Sequence, residues 1–205
     1  QGVPFFHAGD EILRSKSLDR DSYNSGDWFN RLDFGYDSNN WGVGVPPKEK
    51  NEKNWPLIRA RLGDPAFKPR TSHILAALDN FCTLIGIRYS SPLFRLKTAS
   101  EILERVRFHN AGPGVVAMSI EDGHEGVVDG RPQLDPMYSC IVVVINASPD
   151  AAAFAAPRLC GKTLQLHPVL LQVLPLPPPS SSMYEPSTGR FGVPARTTSV
   201  FVEPR

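Results

Sequence analysis

Short segments rich in valine and isoleucine dominate the second half of the chain and constrain its fold more than any other feature. Their residue types favour β-strands, and glycine or asparagine residues separate them. The predicted strands are Val106 to His109, Val115 to Ile120, Tyr138 to Ile145, Leu164 to His167, Arg190 to Val193 and Thr198 to Val202. Several short strands with turns between them predict an antiparallel β-sandwich.

Two helices are predicted before this β-rich region. The first spans Thr71 to Arg88, where apolar residues recur on one helical face. The residues of that face are Ile74, Leu78, Phe81 and Ile85. The second helix follows Thr98, which forms a capping-box pattern with Glu101 three residues later.

A long stretch without a regular period occupies residues 10–70. Irregular segments of this length are uncommon in compact domains and are usually functional or disordered. This stretch contains all three tryptophans of the chain, Trp28, Trp41 and Trp55, whereas disordered segments are poor in aromatic residues. We therefore expect it to pack on a scaffold and to form a functional surface.

A short apolar run, Val3 to Phe6, precedes the irregular stretch and predicts one buried strand. One strand and one helix cannot enclose a core, so residues 1–94 are expected to complete a larger structure. The last strand-and-helix unit of a (β/α)₈ barrel fits their order. We place a β-sandwich domain in residues 95–205. Because the chain begins with Gln1 and shows no leader pattern, we expect further residues before it.

Charge and cysteine content limit the classes of function. The chain has 22 Lys and Arg residues against 21 Asp and Glu residues, so no basic field favours nucleic acid. No apolar run is long enough to span a bilayer, and we expect no membrane partner. Cys82, Cys140 and Cys160 lack metal-type spacing, which predicts buried free thiols and no metal site. A disulfide between Cys140 and Cys160 is an open alternative.

Several motifs carry a resemblance to a known family. Gly2-x-Pro4-x-x-x-x-Gly9-x-Glu11 is similar to the motif at the eighth barrel strand of the α-amylase superfamily. The run Arg-Asp-Ser-Tyr-Asn-Ser-Gly-Asp-Trp-Phe-Asn, from Arg20 to Asn30, resembles the pullulanase branch and not the isoamylase branch. Ile87 to Leu96 and Ser199 to Pro204 resemble plant limit dextrinases. The chain is thus identified as a relative of plant-type pullulanases over nearly its whole length.

The resemblance implies a (β/α)₈ barrel followed by an antiparallel β-sandwich, and hydrolysis of α-1,6-glucosidic bonds in pullulan and amylopectin-derived limit dextrins. The family retains anomeric configuration, which needs a nucleophile and an acid/base carboxyl group about 5 Å apart. In the family these groups and a third Asp follow earlier barrel strands. We therefore expect no catalytic carboxylate and no activity in this chain alone. No cofactor is implied, calcium elsewhere in the longer protein is left open, and the plant resemblance implies a plastid location.

The candidate substrate-binding residues are Asp21, Arg20, Arg14 and Trp28. The resemblance implies that Asp21 contacts the glucose at the subsite before the cleaved residue. The alternative is that Asp21 caps a turn or pairs with Arg20 or Arg14. The arginines donate to sugar hydroxyls, orient Asp21 or form structural ion pairs. Trp28 stacks on a sugar face or anchors the loop.

The expected partner is a branched α-glucan. Lys53 stands where related plant sequences carry an acidic residue, so altered binding of the substrate or of a protein inhibitor is a further expectation. The alternative functions are a non-catalytic sandwich that binds starch or a protein, an isoamylase-type enzyme and an inactive truncated gene product. The β-rich half has no tryptophan, which argues against a separate starch-binding module.

Overall fold

The structure, a computed structural model, describes residues 1–124, 131–171 and 181–205. The chain divides into two compact units. Val3–Leu84 form the first unit, and Gln1–Gly2 with Ile85–Arg205 form the second. The division falls within a helix, and the domain boundary between residues 94 and 95 stays a prediction.

Short helices and loops build the first unit. The helices are α1 (Asp27–Asn30), α2 (Lys48–Asn51), α3 (Trp55–Leu62) and α4 (Thr71–Ser90), and 3₁₀ turns lie at Asp10–Ile12, Glu52–Asn54 and Pro65–Phe67. Buried polar side chains hold the loops in place. Ser17 Oγ donates to the Asn40 carbonyl at 2.7 Å, and Asn39 Nδ2 donates to the Leu13 carbonyl at 2.6 Å. The irregular stretch is therefore packed.

The predicted strand from Val3 to Phe6 is wrong. These residues have no regular secondary structure, and Val3 and Phe5 are 93% and 94% exposed. A strand needs a neighbouring strand to satisfy its backbone groups, and none of the described residues pairs with this segment. Phe6 instead packs against Phe81 of α4, with ring centroids 4.8 Å apart.

Helices α4 and α5 agree with the sequence pattern. In α4, Ile74 is fully buried and the other three residues of the predicted face are partly buried. Helix α5 (Ala99–Arg105) begins at the predicted capping box. Glu101 N–H donates to Thr98 Oγ1 at 3.2 Å, and Thr98 N–H donates to Glu101 Oε2 at 3.0 Å.

Two antiparallel sheets form the second unit, which confirms the predicted β-sandwich. The strands are β1 (Val106–His109), β2 (Val115–Glu121), β3 (Tyr138–Asn146), β4 (Ala152–Ala155), β5 (Gln165–Leu166), β6 (Met183–Glu185), β7 (Arg190–Val193) and β8 (Thr197–Pro204). The larger sheet has the order β1-β2-β3-β8-β5, and the smaller sheet has the order β4-β7-β6. Helix α6 (Pro168–Leu171) and 3₁₀ turns at Pro92–Arg95 and Pro157–Leu159 join these elements. The sequence predicts an extended, exposed Pro/Ser-rich loop from Pro175 to Ser182, and residues 175–180 of it lie outside the described residues.

Alternating side chains of the central strands fill the space between the sheets. Val142 and Val144 of β3 face the smaller sheet across a core of buried residues. Phe191 stacks on Phe154 with ring centroids 5.3 Å apart and meets Phe201 edge-on at 5.2 Å. The central strands were predicted from their content of valine and isoleucine, and it is these residues that fill the core.

A buried ion network surrounds Asp122, which lies in the loop that follows β2. The Asp122 carboxylate accepts from Arg105 Nη1 at 2.8 Å and from Arg205 Nη2 at 2.7 Å. It also accepts from the backbone N–H groups of Leu134 and Asp135. One carboxylate thus joins the end of α5, this loop and the residue after β8.

The cysteines are free thiols, and the alternative disulfide does not form. Cys140 is buried, and burial raises the pKa of its thiol to about 12, so it stays protonated at neutral pH. Cys82 and Cys160 are exposed, so the prediction that all three are buried is wrong. Cys82 lies on α4 outside the buried face, and Cys160 lies at the end of a surface turn.

Candidate functional site

The segment of residues 19–26, which we call the Asp21 loop, presents a carboxylate to solvent. Asp21 is exposed, and its Oδ2 lies 3.7 Å from Lys50 Nζ, which is also exposed. This long, solvated ion pair holds Asp21 only weakly. Two of the predicted alternatives, an ion pair with Arg20 and one with Arg14, do not form among the described residues. Asp21 is therefore free to accept hydrogen bonds from a ligand.

A side-chain clamp fixes the backbone of the Asp21 loop. Asp19 Oδ1 accepts from the Asp21 N–H at 3.2 Å and from Asn51 Nδ2 at 2.9 Å, while Asp19 Oδ2 accepts from Ser25 Oγ. Asn51, at the end of α2, is buried, and its Oδ1 accepts from the Arg20 N–H at 3.0 Å. The Asp21 carboxylate thus projects from a backbone that is held on both sides.

The electrostatics of Asp19 support this clamp. Burial acts to raise the pKa of the Asp19 carboxyl group, but the hydrogen bonds from Ser25 and Asn51 oppose it. The net effect is a pKa below the usual value for aspartate. Asp19 is therefore ionised at neutral pH, and hydrogen bonds to a charged acceptor are stronger than those to a neutral one.

The two predicted arginines have different surroundings. Arg20 is exposed, and its backbone N–H is bound by Asn51. Arg14 is half-buried; its Nη1 donates to the Ala8 carbonyl at 3.1 Å and its Nη2 donates to the Asn30 carbonyl. Arg14 therefore braces the fold, and it is not brought into contact with Asp21.

The turn before Arg14 depends on glycine. Gly9 has a φ of +97°, and a Cβ atom at this position would lie 2.6 Å from the Arg14 Cβ. The Arg14 N–H donates to the Gly9 carbonyl at 2.8 Å. The Glu11 carboxylate accepts from the Gly9 N–H at 3.0 Å, and it forms no salt bridge with an arginine among the described residues.

Trp28 differs from the other two tryptophans. It is 65% exposed on α1, so its indole ring does not anchor the loop. Trp55 Nε1 donates to the Pro46 carbonyl at 2.9 Å, and the Trp41 ring lies 6.3 Å from the Phe67 ring. Trp41 and Trp55 are thus the anchors, and Trp28 is free to contact a ligand.

Asn30 connects α1 to the Asp21 loop. Its Nδ2 donates to the Ser22 carbonyl at 2.8 Å and to the Gly26 carbonyl at 3.0 Å. Lys16 Nζ donates to Ser22 Oγ at 2.7 Å from the other side. The structure therefore brings together the segments that carry Asp21, Arg20 and Trp28, and it places Arg14 in their support.

Asp19 and Asn51, which hold the Asp21 loop, were not predicted from the sequence. The Asp19 contact had a local signal, because an aspartate side chain often accepts from the backbone N–H two residues later, as in an Asx turn. Asn51 had none, since it reaches Asp19 and Arg20 across more than thirty residues of sequence.

The exposed carboxylate of Asp21 can accept hydrogen bonds from hydroxyl groups, and the exposed indole of Trp28 can pack against apolar C–H faces. Within residues 1–124, 131–171 and 181–205 no cluster of three or more His, Cys, Asp or Glu residues could hold a metal ion. In the same residues, the helices are too short or too polar for a bilayer crossing.

Comparison with known proteins identifies the family. The family described as alpha-1,6-glucosidases, pullulanase-type, C-terminal, matches residues 36–204. The chain is 63% identical to chloroplastic pullulanase 1 of Arabidopsis thaliana over 100% of its own length and 22% of that protein. It is 36% identical to a pullulanase of Klebsiella pneumoniae over 82% of the chain and 15% of that protein. The chain therefore belongs to the C-terminal family of pullulanase-type α-1,6-glucosidases.

Solved structures give the same result. The crystal structure of Klebsiella pneumoniae pullulanase complexed with maltotriose matches 96% of this chain with a TM-score of 0.79 and 32% identity, over 18% of that chain. A pullulanase variant from Paenibacillus barengoltzii, also complexed with maltotriose, matches 100% of this chain and 23% of that chain, with a TM-score of 0.60 and 26% identity. The chain thus spans less than a quarter of the length of these relatives.

Proposed function

We propose that this chain is part of a starch-debranching glycoside hydrolase that cleaves α-1,6-glucosidic bonds in pullulan and amylopectin-derived limit dextrins. The observation that carries the proposal is the 63% identity to a chloroplastic pullulanase over the whole chain. The family match over residues 36–204 supports the same activity. The maltotriose complexes of two structural relatives support an α-glucan as the partner.

In this proposal the catalytic carboxyl groups belong to a (β/α)₈ barrel in the longer protein. A retaining mechanism requires a nucleophile and an acid/base about 5 Å apart across the scissile bond. The residues of this chain contribute positioning. The Asp21 carboxylate accepts hydrogen bonds from two sugar hydroxyls, and the Trp28 ring packs on a sugar face. Holding the glucan in one register converts binding energy into rate at the cleaved bond.

The remaining partner and location proposals rest on the relatives. A plastid location follows from the chloroplastic relative. Lys53 is exposed, and altered contact with the substrate or with a protein inhibitor at this position stays a prediction. The positioning role of this chain needs no cofactor, and calcium in the rest of the longer protein stays an open alternative.

The test of the proposed function is substrate preference. The longer protein that carries this chain is incubated with pullulan and with linear amylose, and the release of reducing ends is measured for each. We expect turnover of pullulan and little turnover of amylose, because only pullulan contains α-1,6 bonds. Faster release from amylose would assign the protein to a different glucosidase class.

A further inference from the structure

The second unit contains a charged cleft that the proposed function does not use. Its volume is about 300 Å³, which is the lower end of the range for small-molecule sites. The cleft is lined by Glu104, Arg105, Arg107, Glu121, Arg131 and Arg158. These residues come from α5, β1, β2, the loop before β3 and the turn at Pro157–Leu159, so the fold gathers them from distant parts of the sequence.

The arginines of this cleft retain donor capacity. Arg107 Nη1 donates to the Leu103 and Val106 carbonyls at 2.6 and 2.7 Å, and Arg131 Nη1 donates to the Glu104 carbonyl at 2.8 Å. Arg158 is exposed. Among the residues that the structure describes, none of these three guanidinium groups forms an ion pair with a carboxylate. Their remaining N–H groups are available to a ligand.

Arg105 is the buried arginine of the cleft lining. Its side chain is 1% exposed, and its two Nη atoms are bound by Asp122 and by the Pro132 carbonyl. Its Nε has no acceptor among the described residues. Because this Nε is itself buried, a ligand in the cleft would meet the free N–H groups of the other three arginines and not those of Arg105.

The arginines and glutamates of the cleft together indicate which chemical groups its ligand carries. Guanidinium groups bind phosphate oxygens in a bidentate geometry, whereas Glu104 and Glu121 would repel a bare anion. The same carboxylates accept hydrogen bonds from hydroxyl groups. We propose that this cleft binds a sugar phosphate, with the arginines on the phosphate group and the glutamates on the sugar hydroxyls.

The test is isothermal titration calorimetry, in which each ligand is titrated into the 205-residue chain. We expect saturable binding of glucose 6-phosphate, weaker binding of inorganic phosphate, and weaker binding of glucose. Failure of glucose 6-phosphate to saturate, or equal affinity for inorganic phosphate, would overturn the proposal.

Variants distinguish ligand binding at this cleft from nonspecific attraction to the positive charge of the unit. Arg158→Ala should weaken binding of glucose 6-phosphate about tenfold, because a charge-assisted hydrogen bond is lost. Arg158→Lys should recover part of the affinity, since lysine keeps the charge but not the planar fork. Arg190→Ala removes another exposed arginine of the same unit, on β7 and outside the cleft lining, and should bind like the wild type. Unchanged affinity in Arg158→Ala, or an equal loss in Arg190→Ala, contradicts the assignment.

Two sources of this chemistry can be distinguished with one more ligand. A free sugar phosphate and a phosphate ester on a glucan chain present the same groups to the cleft. Maltotriose that carries a single 6-phosphate should bind at least as tightly as glucose 6-phosphate if the natural ligand is a phosphorylated chain. Weaker binding supports the free sugar phosphate, and both results require saturable binding at the same arginines.

Discussion

At the scale of single residues, Asp21 carries the clearest prediction. Replacing it by alanine in the longer protein should lower kcat/KM for pullulan about ten- to a hundredfold, because one or two hydrogen bonds to a charged acceptor are lost. The fold should be unaffected, since the only ion pair of Asp21 among the described residues is the exposed contact with Lys50. Steady-state kinetics on pullulan measure the effect.

The matched control for Asp21 is Asp150→Ala. Asp150 is also exposed, and within the described part of the chain only its backbone carbonyl forms hydrogen bonds. This variant should have the kinetics of the wild type. If Asp21→Ala is equally active, Asp21 is not a substrate-binding residue.

The burial of His167 leads us to predict that the stability of the fold depends on pH. It is buried, its Nδ1 accepts from the Val169 N–H at 3.2 Å, and its Nε2 lies 3.0 Å from Ser90 Oγ. Burial lowers the pKa of His167, so protonation favours the unfolded chain. Its contribution to stability is complete above the unfolded pKa of about 6.5 and is lost as the pH falls below that value toward the lowered pKa.

The measurement for His167 is urea unfolding of the chain at about pH 7.5 and about pH 5.5. We expect a lower unfolding midpoint at the acidic pH. His167→Gln should reduce this difference, and the part that remains includes His109, whose pKa is also lowered by burial. A variant with the full wild-type pH dependence would show that His167 does not titrate on unfolding.

At the scale of elements, the Asp122 network predicts a large stability difference between two variants. Asp122→Ala leaves the buried guanidinium of Arg105 without a countercharge and should cost about 3–5 kcal/mol. Arg205→Ala should cost much less, because Asp122 keeps Arg105 as its partner and Arg205 is partly exposed. The free energy of unfolding in urea measures both. Equal costs would show that Arg105 does not depend on Asp122.

The elements also show what the sequence could predict. Strands β2, β3 and β8 were predictable because they are rich in β-branched residues, which favour extended backbone. Strands β4 and β6 were not predicted, since Ala152–Ala155 and Met183–Glu185 contain no β-branched residues, and they form by pairing with β7. Tertiary pairing therefore overrode weak local propensity.

Part of the candidate site could be predicted from the sequence, and part could not. The motif around Arg20 and Asp21 was recognisable as a contiguous run of residues, and the exposed carboxylate agrees with a binding role. The clamp that holds it depends on Asn51, whose partners lie far away in sequence. The failed strand at Val3 to Phe6 has the same cause, because a strand depends on partners that the run itself does not contain.

At the scale of the whole molecule, the central claim is that this chain positions a glucan and performs no chemistry. The Asp21 loop, Trp28 and the β-sandwich have positioning and structural roles in this account. Without a nucleophile and a proton donor, the glycosidic bond cannot be broken, however well the glucan is held. The claim therefore predicts that activity depends on a barrel that this chain does not supply.

The most direct measurement compares two proteins on pullulan. One is the 205-residue chain alone, and the other is Arabidopsis thaliana pullulanase 1 with its matching 22% replaced by this chain. We expect the chimera to release reducing ends at a rate within about tenfold of its parent, and the chain alone to release none. Turnover by the chain alone, after purification from host hydrolases, would contradict the account.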